Sequence, residues 1–262
     1  MNRYLSTVGL YARWNLYKIL TIILITALAA GFLVYRYPIG TVVLDENYVS
    51  AETGETTQLV ASYPQLEGAV SGSGAPVVCA AGFAAIVAVM SLTGCGYGIK
   101  TEYTIRRLRV KERQAVLLWA AYHAVLLVIY WAALAAVLYG VMHLRLQMDV
   151  PVDYFVYTYG PQSMLLLCYT DTFLHHLLPL RDVAAWGVGI ASVLAAALST
   201  VLFSYRQRRG NFSVMVLLAL AGTIGSFFCG LGENANALLM VLLLGVAGAA
   251  FVMLIGGDKD AA

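Results

Sequence analysis

The chain has 262 residues, of which 61% are hydrophobic and only 11% charged, and its formal net charge is +2. A soluble globular domain carries roughly a quarter of its residues as Asp, Glu, Lys and Arg, so this charge deficit excludes a water-soluble fold and predicts an integral membrane protein. The weak net charge, with basic residues gathered near the ends of apolar runs, also argues against a nucleic-acid binder.

Residues 1–18 come first. Tyr4, Val8 and Tyr11 recur at helical spacing with Leu5 beside them, Trp14 and Tyr17 suit the headgroup level, and Arg3, Arg13 and Lys18 suit lipid phosphates. That pattern predicts a helix lying on the inner membrane surface, with a disordered basic lead-in as the alternative. Ala27-Leu28-Ala29 resembles a signal-cleavage site, yet the apolar run continues to Val34 and reads as a retained span.

A spanning helix needs about 20 mostly apolar residues. Six stretches meet or approach this: 19–35, 75–97, 115–142, 183–205, 212–229 and 237–255. The first connection, 36–74, holds Asp45, Glu46, Glu52, Glu55 and Glu67, with no Lys or Arg between Tyr37 and Gly68. Such a carboxylate set attracts a cationic, amphipathic compound. Ser71 and Ser73 lie among glycines and read as a flexible connector.

Gly94-Cys95-Gly96-Tyr97-Gly98 superficially resembles a phosphate-binding loop, but no Lys-Ser or Lys-Thr follows at the required spacing. The chain therefore carries no ATP-hydrolysing motif. Within the six spans, His123 is the lone ionisable group of the kind that relays protons or ions, which disfavours an ion-driven carrier. Cys79, Cys95, Cys168 and Cys229 fall in apolar segments without a CxxC pair and read as small buried side chains.

The stretch 154–170 is uncharged but broken by Gly160-Pro161. If it does not cross and the N-terminus is cytoplasmic, only Arg36, Arg145 and Arg181 of the sixteen Lys and Arg residues lie outside. If it crosses, Arg206, Arg208, Arg209 and Lys259 move outside and Arg181 moves in, which weakens the positive-inside bias. Six spans with both termini cytoplasmic are therefore expected, and 154–170 is expected to re-enter or lie in the outer interface.

Beyond it, Asp171 and His175 stand at i, i+4, with His176 and Asp182 nearby. A pair on one helix face can bind a metal, so a membrane-embedded metal-dependent enzyme using Asp171, His175 and His176 is one alternative. An interfacial helix with its polar face to water, ended by Pro179, is the other reading of the same residues.

The segment 100–113 holds six of the basic residues. On a helix, Glu102, Arg106, Arg109 and Arg113 line one face, and Ile105 and Leu108 sit together on another. A small apolar knob with a basic flank suits a groove on another protein; positive charges that merely hold the loop inside are the competing reading.

Glu102, Thr104, Ile105 and Leu108, followed by Arg109-Val110-Lys111, together with the surface helix and six spans, resemble the type-2 permease subunits of ATP-binding-cassette (ABC) transporters. Tyr103 stands where that family often has Gly, and Val110 where it has Pro after Leu. The resemblance implies one all-α integral membrane permease domain over 1–262, with a cytoplasmic surface helix at 1–18 and a coupling helix in the cytoplasmic loop 98–114 between spans two and three. It implies an ATPase-coupling role for Glu102, Thr104, Ile105, Arg106, Arg107, Leu108 and Arg109. It also implies a plasma-membrane location, a cytoplasmic ABC ATPase dimer that binds ATP and Mg, and a second copy or a homologous permease beside this chain, with no cofactor on this chain itself. The family handles lipids, glycans, drugs and antimicrobial peptides, and the acidic outer loop points within that range to export of a peptide or drug. A substrate-binding membrane subunit of an uptake system and a purely structural membrane protein are the remaining alternatives.

Overall fold

The computed structural model describes residues 2–38, 40–49, 56–65, 68–93, 95, 112–147, 150–152, 155–157, 162–180, 182–228 and 233–256. It is a bundle of long apolar helices. In chain order these are α1 (Asn2–Arg36), α2 (Ala75–Thr93), α3 (Glu112–Leu146), α4 (Ser163–Thr170), α5 (Thr172–Leu177), α6 (Val183–Gln207), α7 (Met215–Phe228) and α8 (Glu233–Gly256). Strands β1 (Gly40–Val49) and β2 (Thr56–Gln65) form an antiparallel hairpin between α1 and α2, in which Gly40 pairs with Gln65 and Val49 with Thr56. A shorter antiparallel pair, β3 (Val150–Val152) and β4 (Phe155–Tyr157), follows α3.

Five of these helices, α1, α2, α3, α6 and α8, are long and apolar enough to cross a membrane. α2, with 19 residues, is about 28 Å long at 1.5 Å per residue, close to the roughly 30 Å hydrocarbon core. It carries no charge and few polar groups around its circumference, as lipid and neighbouring helices require. α7, expected as a full span over 212–229, has 14 residues and is about 21 Å long, short of the hydrocarbon thickness. The expected surface segment 1–18 and the first span are one uninterrupted 35-residue helix, α1. The acidic connection between α1 and α2 contains an antiparallel hairpin, which the run Thr41-Val42-Val43-Leu44, lacking alternation, does not announce as a strand.

α6 is the central helix and packs on α2, α3, α7 and α8. Its buried face is built of small residues, including Ala191, Ser192, Ala195, Ala196 and Ser199, which let backbones approach closely without a hydrophobic drive between helices. α1 makes its own close approach to α2 at Gly82, where a Cβ would run into the Thr26 side chain.

Side-chain contacts fix the helix directions. Arg145 at the end of α3 donates through Nη1 to the Val34 carbonyl (2.9 Å) and to the Tyr37 carbonyl, so α1 and α3 finish at one end of the bundle. Gly187 near the start of α6 abuts Met240 near the start of α8. Leu202 and Tyr205 near the end of α6 cluster with Ala250 and Leu254 near the end of α8, so these two helices run the same way. α7 runs opposite to them: Phe212 just before it contacts Phe203 of α6, whereas Phe227 reaches Trp131 of α3 and His176 of α5. The bundle thus has a hairpin end, carrying β1–β4, α4 and α5, and an opposite end where α2, α6 and α8 finish and α3 begins.

Candidate functional site

The polar cluster at the hairpin end is built around Asp171. The residue ends α4 and N-caps α5, with extended backbone (φ −81°, ψ 117°) that turns the chain between the two short helices. Its side chain is fully buried. Oδ1 accepts from the Phe173 and Leu174 amides at 3.1 Å each, the usual service of an N-cap carboxylate. Oδ2 accepts from the Val70 and Ser71 amides at 2.8 Å each, about a hundred residues earlier in the chain. Those two amides open the 3₁₀ turn Ser71–Ser73 that leads into α2. One carboxylate therefore clasps the connection between α1 and α2 to the one between α3 and α6.

This corrects both expectations for Asp171. It is not on a helix face shared with His175 but caps the helix that carries His175, and it faces protein rather than water. Its oxygens are occupied by four amides, and among the described residues no group of three His, Cys, Asp or Glu is placed to hold a metal ion. His175 instead lies 3.9 Å from Asp182, which N-caps α6 through Oδ1. His176 Nδ1 donates to the Thr172 carbonyl at 2.7 Å, which leaves Nε2 to accept from the Asn236 amide at 3.2 Å. Buried Cys168, one turn before Asp171, has its thiol pKa raised by burial and, to a smaller extent, by the Asp171 carboxylate.

The opposite end is held by polar contacts between α6 and the helices that flank the basic loop. Ser204 of α6 donates to the Ser91 carbonyl of α2 at 2.7 Å. Thr200 gives its hydroxyl proton to the Ala197 carbonyl, so at 3.0 Å it receives the Nδ1 proton of His123 on α3. The Arg208 guanidinium lies 5.6 Å from the ring centroid of Trp119 on α3, a cation–π contact. Arg209 covers the Tyr205 ring. Cys95, just past α2, donates its thiol to the Ser91 carbonyl; burial raises its pKa, while nearby Arg208 and the Ser204 hydrogen bond pull it down.

Of the residues expected to couple to an ATPase, Glu102, Thr104, Ile105, Arg106, Arg107, Leu108 and Arg109 lie outside the described residues, as do Glu52, Glu55 and Glu67. Asp45 and Glu46 fall on β1, opposite Val60 and Leu59 of β2. The described helices bring the two flanks of the basic loop, the end of α2 and the start of α3, to the same end as Arg206, Arg208 and Arg209.

Two features were not anticipated from the sequence. Arg145, counted among the basic residues on the outer side, is committed to the carbonyls that end α1. A hollow of about 380 Å³ lies between α3, α5, α6 and α7, floored by Trp131 stacked on Phe227 (centroids 4.4 Å apart). Gly187-Val188-Gly189 was the available hint, since two glycines two apart on a helix face different neighbours. Gly187 meets Met240, whereas a Cβ on Gly189 would meet nothing within 4 Å.

No family profile, curated protein or solved structure matches the chain.

Proposed function

We propose that this multi-pass membrane protein is the membrane-spanning subunit of an ATP-driven transporter of the type-2 permease kind. In this reading ATP is hydrolysed by a separate cytoplasmic ATPase dimer, and the permease works beside a second copy or a sister chain. The observation that carries the reading is the polarity of the bundle. The loop holding six basic residues leaves and re-enters at the end that also bears Arg206, Arg208 and Arg209, while the acidic hairpin and Asp171 mark the other end. A cationic end faces the cytosol by the positive-inside rule, and α7 with its flanking residues then supplies the sixth crossing.

Two buried groups support an external energy source. Among the described residues, the fully buried groups of the proton- or ion-relaying kind are His123 and Asp171. Asp171 is consumed by four amides, and His123 is engaged with Thr200. In this reading the driving force comes from outside the membrane. A displacement of the basic loop would pass to α6 through Ser91–Ser204 on one flank and through His123–Thr200 and Trp119–Arg208 on the other. α6 would carry it to α5 and the Asp171 clasp at the far end. Ile105 and Leu108 dock in the ATPase, and Arg106, Arg107 and Arg109 hold the contact electrostatically. The five carboxylates of the outer loop recruit a cationic amphipathic peptide or drug for export.

The test combines purification with sidedness. Tagged protein extracted in mild detergent should carry an ATPase subunit with bound nucleotide, and Leu108→Asp should lose it at unchanged membrane insertion. A single cysteine at Arg107→Cys should react with an impermeant maleimide only in inside-out vesicles. Labelling from the outside of intact cells, or wild-type protein that never carries an ATPase, overturns the reading.

A further inference from the structure

The hollow beside α6 has a chemistry of its own. Its walls are Ala124 and Val128 of α3 and Gly189, Ile190 and Val193 of α6, and its floor is the Trp131–Phe227 stack. It exists because Ala124 and Gly189 are too small to close the gap between the two helices. Along α6 it runs from Ala185 to Leu194, about 13 Å at the helical rise. His176 closes one end, but both its ring nitrogens are already engaged, by Thr172 and Asn236. Apart from the indole N–H of Trp131, which is buried without a partner, the lining offers hydrocarbon and aromatic surface and no charged anchor. A volume of about 380 Å³ falls at the lower end of the range for ligand sites of roughly 300–1,000 Å³.

The surroundings say what fills it. Val128 of α3 and Trp186 and Ile190 of α6 line the hollow and are also exposed on the outside of the bundle. On helices that cross a membrane, such residues form the lipid-facing belt, and the hollow is a continuous extension of that interface into the protein. We propose that this groove is a binding site for one acyl chain of a membrane phospholipid, seated along α6 against the Trp131–Phe227 stack. A seated chain gives the aromatic floor and the glycine gap the dispersion contacts that a void denies them. The proposal rests on the membrane placement of the bundle alone and stands apart from the ATPase reading.

Two single-tryptophan proteins test it. One keeps Trp131, with Trp14, Trp119 and Trp186 changed to Phe; the other keeps Trp186 in the same way. Each is reconstituted in vesicles of phosphatidylcholine brominated on one acyl chain, with unbrominated vesicles as reference. Bromine quenches indole at contact range, so Trp186 on the belt (55% exposed) reports bulk lipid, and partly buried Trp131 reports the groove. Both should be quenched. Gly189→Leu, whose Cβ enters open space and which favours the helix, should abolish the Trp131 quenching and leave that of Trp186 unchanged. Val128→Phe fills the groove from the opposite wall and should act likewise, which keeps the test open should either variant fail to fold. Trp131 unquenched in the parent protein, or equally quenched with the groove filled, overturns the proposal.

Discussion

Asp171→Asn tests the clasp at the hairpin end. The carboxylate uses both oxygens, and each accepts two backbone amides. An asparagine side chain reproduces one oxygen and sets an NH₂ against the other pair of N–H donors. Two charge-assisted hydrogen bonds are lost, at about 1.5–3 kcal/mol each. Relief from burying a carboxylate returns part of that, leaving a loss of roughly 2–4 kcal/mol. For a chain of this size that corresponds to a fall of roughly 10 °C in melting midpoint. Asp182→Asn is the internal standard. Asp182 caps α6 through Oδ1 alone, and Asn caps a helix as well as Asp does, so its midpoint should move by no more than about 1–2 °C. The assay is thermal unfolding in one detergent at one scan rate, because membrane proteins unfold irreversibly and the midpoint depends on rate. An unshifted Asp171→Asn protein, or equal shifts in the two variants, would refute the two-sided clasp.

Three further perturbations follow from the packing and the titration of buried groups. Gly82→Ala pushes a Cβ into Thr26 and should cost about 1–2 kcal/mol by overpacking, whereas Gly140→Ala on α3 meets open space and should stabilise by up to about 1 kcal/mol; paired melting curves should move in opposite directions. Arg145→Met removes the donors that end α1 and should cost about 1.5–3 kcal/mol, read as a lower midpoint that Arg145→Lys restores only in part, since an ammonium lacks the planar fork. Cys168 has a raised pKa, so at a given pH it holds less thiolate than a free thiol, and thiolate is the reactive form. In a single-cysteine protein, maleimide labelling at pH 8 should therefore be slower than in the denatured chain. It should quicken as pH rises, and quicken further when Asp171→Asn removes the neighbouring charge; a pH-independent rate would contradict this assignment.

How much was legible in the sequence depends on the range of the interaction that decides each feature. The apolar runs that become α2, α3, α6 and α8 were readable because lipid demands a long uncharged helix whatever its neighbours are. α7 was read too long because hydropathy cannot see that Phe212-Ser213-Val214 stays outside the helix. Asp182 before Val183 is a helix-start signal that local sequence contains. Asp171 carries the same signal, but His175 four residues on invited a metal-ligand reading. The partners that settle its role, the Val70 and Ser71 amides, arrive from about a hundred residues away. Arg145 shows the same limit: a count by sign and side treats it as a topological exception, whereas a contact with residues 34 and 37 makes it the end of α1. The groove depends on an absence, a missing side chain at Gly189 facing another helix, which no periodicity records.

The central claim is that force applied to the basic loop by an ATPase moves the bundle, and ATP turnover by the co-purified complex in lipid tests it most directly. With Leu108→Asp, the preparation should lose its hydrolysis because the ATPase no longer comes with it, while the permease stays inserted and keeps its melting midpoint. Turnover that is unchanged by the aspartate at position 108 would contradict it.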